Sequence, residues 1–125
     1  MKIYLAGGMK SGWQDDVARR LAHHEIVDPR SKEMTGEWNL DKYGAWDLSR
    51  IRTCDAVFGY MEASNPSGIG MAVEIGFAKG MGKTVVVVLE DNYTATETDN
   101  RRIMFMSVAA DYVAEDLDDA ISFFA

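Results

Sequence analysis

The stretch Ser67–Val88, read as SGIGMAVEIGFAKGMGKTVVVV, constrains the fold most, because it sets out a turn, a helix and a buried strand in that order. Gly68 and Gly70 supply a turn in which backbone can approach a ligand closely. Met71, Ala72, Val73, Ile75, Phe77 and Ala78 then predict a helix apolar almost all round, as suits one packed against a sheet. Gly80 and Gly82 end it, and Val85–Val88 reads as a parallel strand covered on both faces. Glu74 is the anomaly, since an ionised carboxylate in so apolar a segment needs partners. An acid there can simply serve the helix dipole. The adjoining glycine turn makes Glu74 a candidate site residue instead.

The remaining segments extend the same alternation. Lys2–Ala6 predicts a first strand, and Gly7, Gly8 and Gly12 surround the loop after it. Ser11 and Gln14 have capping-box spacing, which would start a helix near Gly12 and carry it through Val17, Leu21, His23 and His24. Strand, glycine loop and helix N-terminus make an anion-friendly corner, although GGMKSG matches neither the dinucleotide fingerprint nor the P-loop. Ile26–Val27 suits a second strand, and the polar segment Arg30–Asn39 reads as a loop over the strand ends. Leu40–Thr53 has a helical pattern interrupted at Gly44 and carries Asp47. Ala56–Met61 is a central third strand, with Asp55 hydrogen-bonding the turn before it.

Beyond Val88, Asp91–Asn100 is a polar loop, Ile103–Val108 a short helix, Tyr112–Val113 a last strand and Leu117–Phe124 an amphipathic helix. The expectation is an α/β fold: one Rossmann-like or flavodoxin-like domain over residues 1–125, a doubly wound sheet of about five parallel strands with helices on both faces. Ligands in such folds bind outside the carboxyl ends of the strands at the switch point. That brings the first loop and the Ser67 turn to one crevice.

Composition narrows the function. The chain is 47% hydrophobic and 26% charged, as globular proteins are, and its net charge of -7 speaks against binding a nucleic-acid backbone. A single cysteine, Cys54, excludes an internal disulfide and suits a reducing cytoplasm. No Cys and His cluster suggests zinc, and the opening MKIYLAGG lacks the layout of a signal peptide. The expected protein is cytoplasmic, with no cofactor, metal, membrane or nucleic-acid partner. Trp13 and Trp38 read as core, His23 and His24 as helix-terminal, and Cys54 as an inert buried thiol.

Asp47, Glu74 and Tyr4 are the residues on which chemistry could rest. Two carboxylates in one crevice can divide the work, one staying ionised as nucleophile while the other protonates or steers a leaving group. That division suits glycosyl transfer.

IYLAGG, WDLSRIRTCDAVFGYM and NPSGIGMAVEIGFAKGMGKTVVVV together resemble the nucleoside 2-deoxyribosyltransferase family, which includes nucleoside 5'-monophosphate N-glycosidases. The resemblance rests on the early strand, the D-x7-D pair of Asp47 and Asp55, and G-x3-EIGFA from Gly70. It implies that Glu74 is the nucleophile, Asp47 the acid that binds and protonates the base, and Tyr4 the tyrosine that orients Glu74. It further implies a nucleoside or nucleotide and a free nucleobase as partners. The substrate would meet Gly7, Gly8, Lys10, Ser67, Gly68, Gly70, Trp46 and Met106, in a homodimer or higher homo-oligomer whose neighbouring subunit completes the pocket. Transfer of 2-deoxyribose between bases is the first reading. Hydrolysis of a nucleoside 5'-monophosphate, its phosphate held by Lys10, Ser11 and Ser67, is the second, and a non-catalytic nucleotide-binding module the third. The family's partner-supplied Asn-x-Met is matched by Met104-Phe105-Met106, without the Asn, and the chain stops at Ala125, short of the longer tail of some transferases. Arg101 and Arg102 could add charge from a neighbour or form a solvated face.

Overall fold

The computed structural model describes residues 1–31, 40–62, 68–90 and 105–125. It contains one sheet of five parallel strands: β1 (Lys2–Gly7), β2 (Glu25–Val27), β3 (Ala56–Met61), β4 (Thr84–Leu89) and β5 (Tyr112–Ala114). Their spatial order is β2-β1-β3-β4-β5, the flavodoxin-like winding, with its switch point between β1 and β3. Four helices cover the sheet among the described residues: α1 (Trp13–Arg20), α2 (Leu40–Thr53), α3 (Ile69–Gly80) and α4 (Leu117–Phe124). No described helix is long and apolar enough to cross a membrane.

Two cores form because the sheet is covered on both sides. Trp13 and Val17 of α1 and Ala120, Ile121 and Phe124 of α4 pack on Ile3, Leu5, Phe58, Val86 and Val88. On the opposite face, Ile51 of α2 and Met71, Ile75 and Ala78 of α3 pack on Tyr4, Val57, Val85 and Val87. The run of four valines is thereby explained: alternate residues of β4 enter alternate cores, so none of the four is left to solvent. Each valine withdrawn from water contributes about 1.5–3 kcal/mol before conformational entropy is counted.

Two aspartates fix the strand ends by the same device. Asp55 donates its N–H to the Lys2 carbonyl (2.7 Å), and its carboxylate accepts the Lys2 N–H (2.8 Å). Asp111 repeats the pair with Val85, at 2.8 and 2.7 Å. The turn role read for Asp55 is thus a clamp between β1 and β3.

The first helix starts beside Gly12 as expected, but its cap and its far end differ from the sequence pattern. Gly12 occupies its N-cap in a left-handed conformation with no side-chain cap, so Ser11 and Gln14 form no capping box. The Gly8 carbonyl draws Gln14 away, accepting from its Nε2 at 2.9 Å and from Trp13 Nε1 at 2.8 Å. At the other end the helix stops at Arg20 instead of continuing through the histidines. Leu21 turns into the core, and His24 is held outside the helix, accepting at Nδ1 from the Met1 ammonium (3.0 Å) and donating from Nε2 to the Phe124 carbonyl (2.7 Å).

Other boundaries agree closely with the sequence pattern. Helix α2 runs unbroken through Gly44. Pro29–Ser31 and Phe105–Ala109 form short 3-10 helices; the latter overlaps the short helix expected over Ile103–Val108, whose first two residues lie outside the described residues. The rest of the Arg30–Asn39 loop beyond Ser31 and the whole Asp91–Asn100 loop lie outside the described residues.

Candidate active site

Helices α2 and α3 both contact β1, and the space they share at the switch point holds the three residues singled out for chemistry. Tyr4 stands in the middle of β1, level with Val57 of β3, and is wholly buried. Its hydroxyl donates to Glu74 Oε2 in α3. Burial is the main cause holding this phenol far above the ordinary tyrosine range. The charge and hydrogen bond of Glu74 act next, and those of Asp47 on α2 act last. Tyr4 is therefore neutral at any physiological pH and can only donate to a carboxylate. The structure brings Tyr4, Asp47 and Glu74 together, as the sequence predicts.

The local sequence explains how Glu74 reaches this place. Gly68 forms the N-cap of α3 at φ 63°, where an L side chain is strained. A Cβ on Gly68 would also lie 2.8 Å from Met61 Sδ, so any other residue would have to push the Met61 side chain aside for α3 to start this close to the end of β3. Gly70 lies inside the first turn of α3 with open space around it, so the turn expected at Gly68 and Gly70 is made by Gly68 alone. The helix is also not buried all round. Met71, Ile75 and Ala78 face the core, whereas Ile69 and Val73 remain 69% and 56% exposed.

The other expected ligand residues separate into two groups. Gly7 closes β1, and Gly8 follows it beneath the first loop. Trp46 lies half-buried beside the core under α2 and α3, with the Arg50 guanidinium 5.1 Å from its ring centre. Met106 is buried in that core, 3.6 Å from where a Cβ on Gly68 would stand, and does not project from the surface. Ser67, Arg101, Arg102 and Met104 lie outside the described residues.

One residue escaped the sequence reading. Glu62, which directly follows β3, is only 1% exposed. Its Oε2 accepts the Ser11 N–H at 2.6 Å and its Oε1 the Lys10 N–H at 3.3 Å. Gly8 lies so close that a Cβ there would stand 1.7 Å from Glu62 Oε1. The anion-friendly corner thus holds an anion of the protein's own. An acid ending the apolar run AVFGYM is the signal that could have disclosed it. Among the described residues, no group of three or more His, Cys, Asp or Glu could hold a metal ion.

A flavodoxin-like sheet with a tyrosine and two carboxylates at its switch point defines a class, an α/β protein that gathers polar side chains where such folds bind ligands. The chain belongs to the family described as nucleoside 2-deoxyribosyltransferase like, whose model matches residues 1–92 and so spans Tyr4, Asp47, Glu62 and Glu74. Membership points to glycosyl transfer at a nucleoside as the class of activity. Solved structures share the fold. A conserved protein from Enterococcus faecalis V583 superposes with a TM-score of 0.74 at 14% identity, covering 99% of this chain and 96% of that one. A 2-deoxyribosyltransferase from Bacillus psychrosaccharolyticus gives 0.70 at 22% identity, covering 97% and 90%. The CMP N-glycosidase BcmB from Clostridium botulinum gives 0.65 at 18%, covering 98% and 97%. No protein of curated function matches the chain in sequence.

Proposed function

We propose that the protein transfers 2-deoxyribose between nucleobases through a covalent ester on Glu74. The observation that carries this reading is the hydrogen bond from the buried Tyr4 hydroxyl to Glu74, with Asp47 close to the same hydroxyl. A carboxylate held by a neutral donor has a set orientation and keeps its negative charge, which suits a nucleophile.

In the first step a Glu74 oxygen bonds to the anomeric carbon as the bond to the base nitrogen breaks. The electron pair of that bond leaves on the base, which takes a proton from Asp47. A second base then attacks the anomeric carbon with its nitrogen lone pair, returns a proton to Asp47 and frees the Glu74 carboxylate. A 2-deoxyribose lacks the electron-withdrawing 2-hydroxyl, so its oxocarbenium-like transition state forms readily and one carboxylate can capture it. Whether a base or water meets the ester depends on how well the crevice excludes water.

The same reading makes the protein a cytoplasmic homo-oligomer, a single domain whose neighbouring subunit completes the pocket. Exposed apolar side chains beside the site support the oligomer: Ile69 and Val73 on α3, and Phe105 and Val108 on the turn that α3 touches. The buried free thiol of Cys54 suits a reducing compartment.

Chromatography of purified protein with deoxynucleosides and deoxynucleoside monophosphates, each with and without a second base, tests the proposal. Exchange into a new nucleoside, abolished in Glu74→Ala, is expected. Release of free base from monophosphates alone would replace it with N-glycosidase activity. No turnover, or a fully active Glu74→Ala, would leave a ligand-binding module.

A further inference from the structure

The loop after β1 lies where parallel α/β folds receive anionic ligands, at the carboxyl end of a strand beside the switch point, with backbone amides leading into a helix. In this chain two of those amides are already taken. Both oxygens of Glu62 accept N–H groups of successive loop residues, Lys10 and Ser11. A side chain 99% withdrawn from solvent accepts at both oxygens, the arrangement that satisfies a buried carboxylate. Gly8 completes the seat, because any side chain there would collide with Glu62 Oε1. A phosphate entering this loop would have to displace Glu62 from both bonds and would meet a like charge as it approached.

We infer that Glu62 is a specificity-determining residue that acts through the first loop. By filling the amide cradle with the protein's own negative charge, it makes the pocket one for an uncharged nucleoside and rejects the 5'-monophosphate. This rests on the glycosyl-transfer reading above and names its substrate class. Glu62 itself is too buried to touch the substrate, so its effect lies in which loop amides remain available.

Two measurements separate this inference from the proposed function. The first needs no turnover: the Lys10 and Ser11 amide resonances of the labelled full chain are followed by NMR during titration with inorganic phosphate. They stay in place in the wild type and move in Glu62→Ala, whose cradle is empty. The second compares kcat/KM for a deoxynucleoside and its 5'-monophosphate. The wild type favours the nucleoside, and the preference falls by about tenfold or more in Glu62→Ala. Glu62→Gln, which keeps the volume and removes the charge, shifts the ratio the same way by less, and carries the test if the alanine variant does not fold. A change in the ratio distinguishes this role from a purely structural one, which would lower both values together. Phosphate-induced movement of the wild-type amides, a wild-type preference for the monophosphate, or an unchanged ratio in the folded variants overturns the inference. Absence of turnover on every substrate overturns the proposed function alone, and the titration still decides the role of Glu62.

Discussion

The Tyr4 hydroxyl donates to Glu74 Oε2 across 70 residues of sequence, from the middle of β1 to the second turn of α3. The direction of this bond is enforced. Burial and two neighbouring carboxylates all oppose the phenolate, so the tyrosine supplies a proton to the bond and never competes for one. The strand sets the depth of the hydroxyl, the helix sets the depth of the carboxylate, and packing of α3 on β1 fixes the distance between them.

Tyr4→Phe should therefore lower kcat far more than it alters KM. The variant keeps the ring that fills the core and loses only the donor to a carboxylate, a bond of the kind worth about 1.5–3 kcal/mol. We expect kcat to fall roughly 10- to 100-fold, with the fold intact by circular dichroism. Steady-state kinetics on the nucleoside substrate check it. A raised KM at unchanged kcat would mean that the hydroxyl serves binding and not the nucleophile.

Glu74→Ala should remove the covalent intermediate and with it exchange activity, by on the order of a thousandfold or more. Intact-protein mass spectrometry of acid-quenched wild type should show an added deoxyribosyl group that is absent from Glu74→Ala. A wild type that turns over substrate without any adduct would point to direct displacement by the second base or water.

Alkaline pH should destabilise the fold through Tyr4. In the folded state its pKa lies above that of the unfolded chain, so the unfolded state loses the proton first. The contribution is fully present below about pH 10 and declines as pH rises toward the folded value. Tyr60 adds to this, its phenol pushed up to about 12 by burial first and then by its hydrogen bond to Glu90. Urea midpoints measured between pH 8 and pH 11 should fall with pH in the wild type. The slope should flatten in Tyr4→Phe and flatten again when Tyr60→Phe is added.

Much of this architecture was legible because its signals are local. The Val85–Val88 run could only be a strand covered on both faces, and the spacing of apolar residues in Leu40–Thr53 and Leu117–Phe124 matched the observed helices. Tyr4, Asp47 and Glu74 were legible for another reason: each is a polar group in an apolar surrounding, and the α/β winding brings such positions to one crevice. What escaped depends on partners distant in sequence. Ser11 and Gln14 have capping-box spacing, yet Ser11 gives its amide to Glu62 and Gln14 turns to the Gly8 carbonyl. The histidines continue a helical pattern, yet His24 is drawn to Met1 and Phe124 at the two ends of the chain. Glu62 escaped notice, because no single segment shows that the amides of Lys10 and Ser11 lie against its carboxylate.

Gly68→Ala should weaken both the fold and the site. The left-handed backbone at this N-cap strains any L side chain, and the added methyl would meet Met61 Sδ at 2.8 Å and Cε at 2.9 Å. Methionine can move aside, which limits the loss to roughly 1–3 kcal/mol in urea denaturation. Because the same cap sets where α3 begins, the residual activity of the folded variant should also fall. A stable variant with full activity would show that Glu74 is placed by the body of the helix and not by its start.

Val73→Asp should break the oligomer and the activity together. Val73 and Ile69 stand four residues apart on one face of α3, 56% and 69% exposed, and Phe105 and Val108 of the adjoining turn are 74% and 72% exposed. So many large apolar side chains left in water around one helix call for a covering surface, and a second copy of the chain is the one the proposed pocket requires. A buried aspartate there would be left without a partner, which shifts association toward monomer. Since Val73 points away from the core that holds Met71 and Ile75, the monomer should keep its fold and melt cooperatively. Light scattering coupled to size exclusion should report a multimer for the wild type and a monomer for Val73→Asp, with turnover lost in step. Unimpaired turnover by a folded monomer would mean that the pocket is complete within one chain.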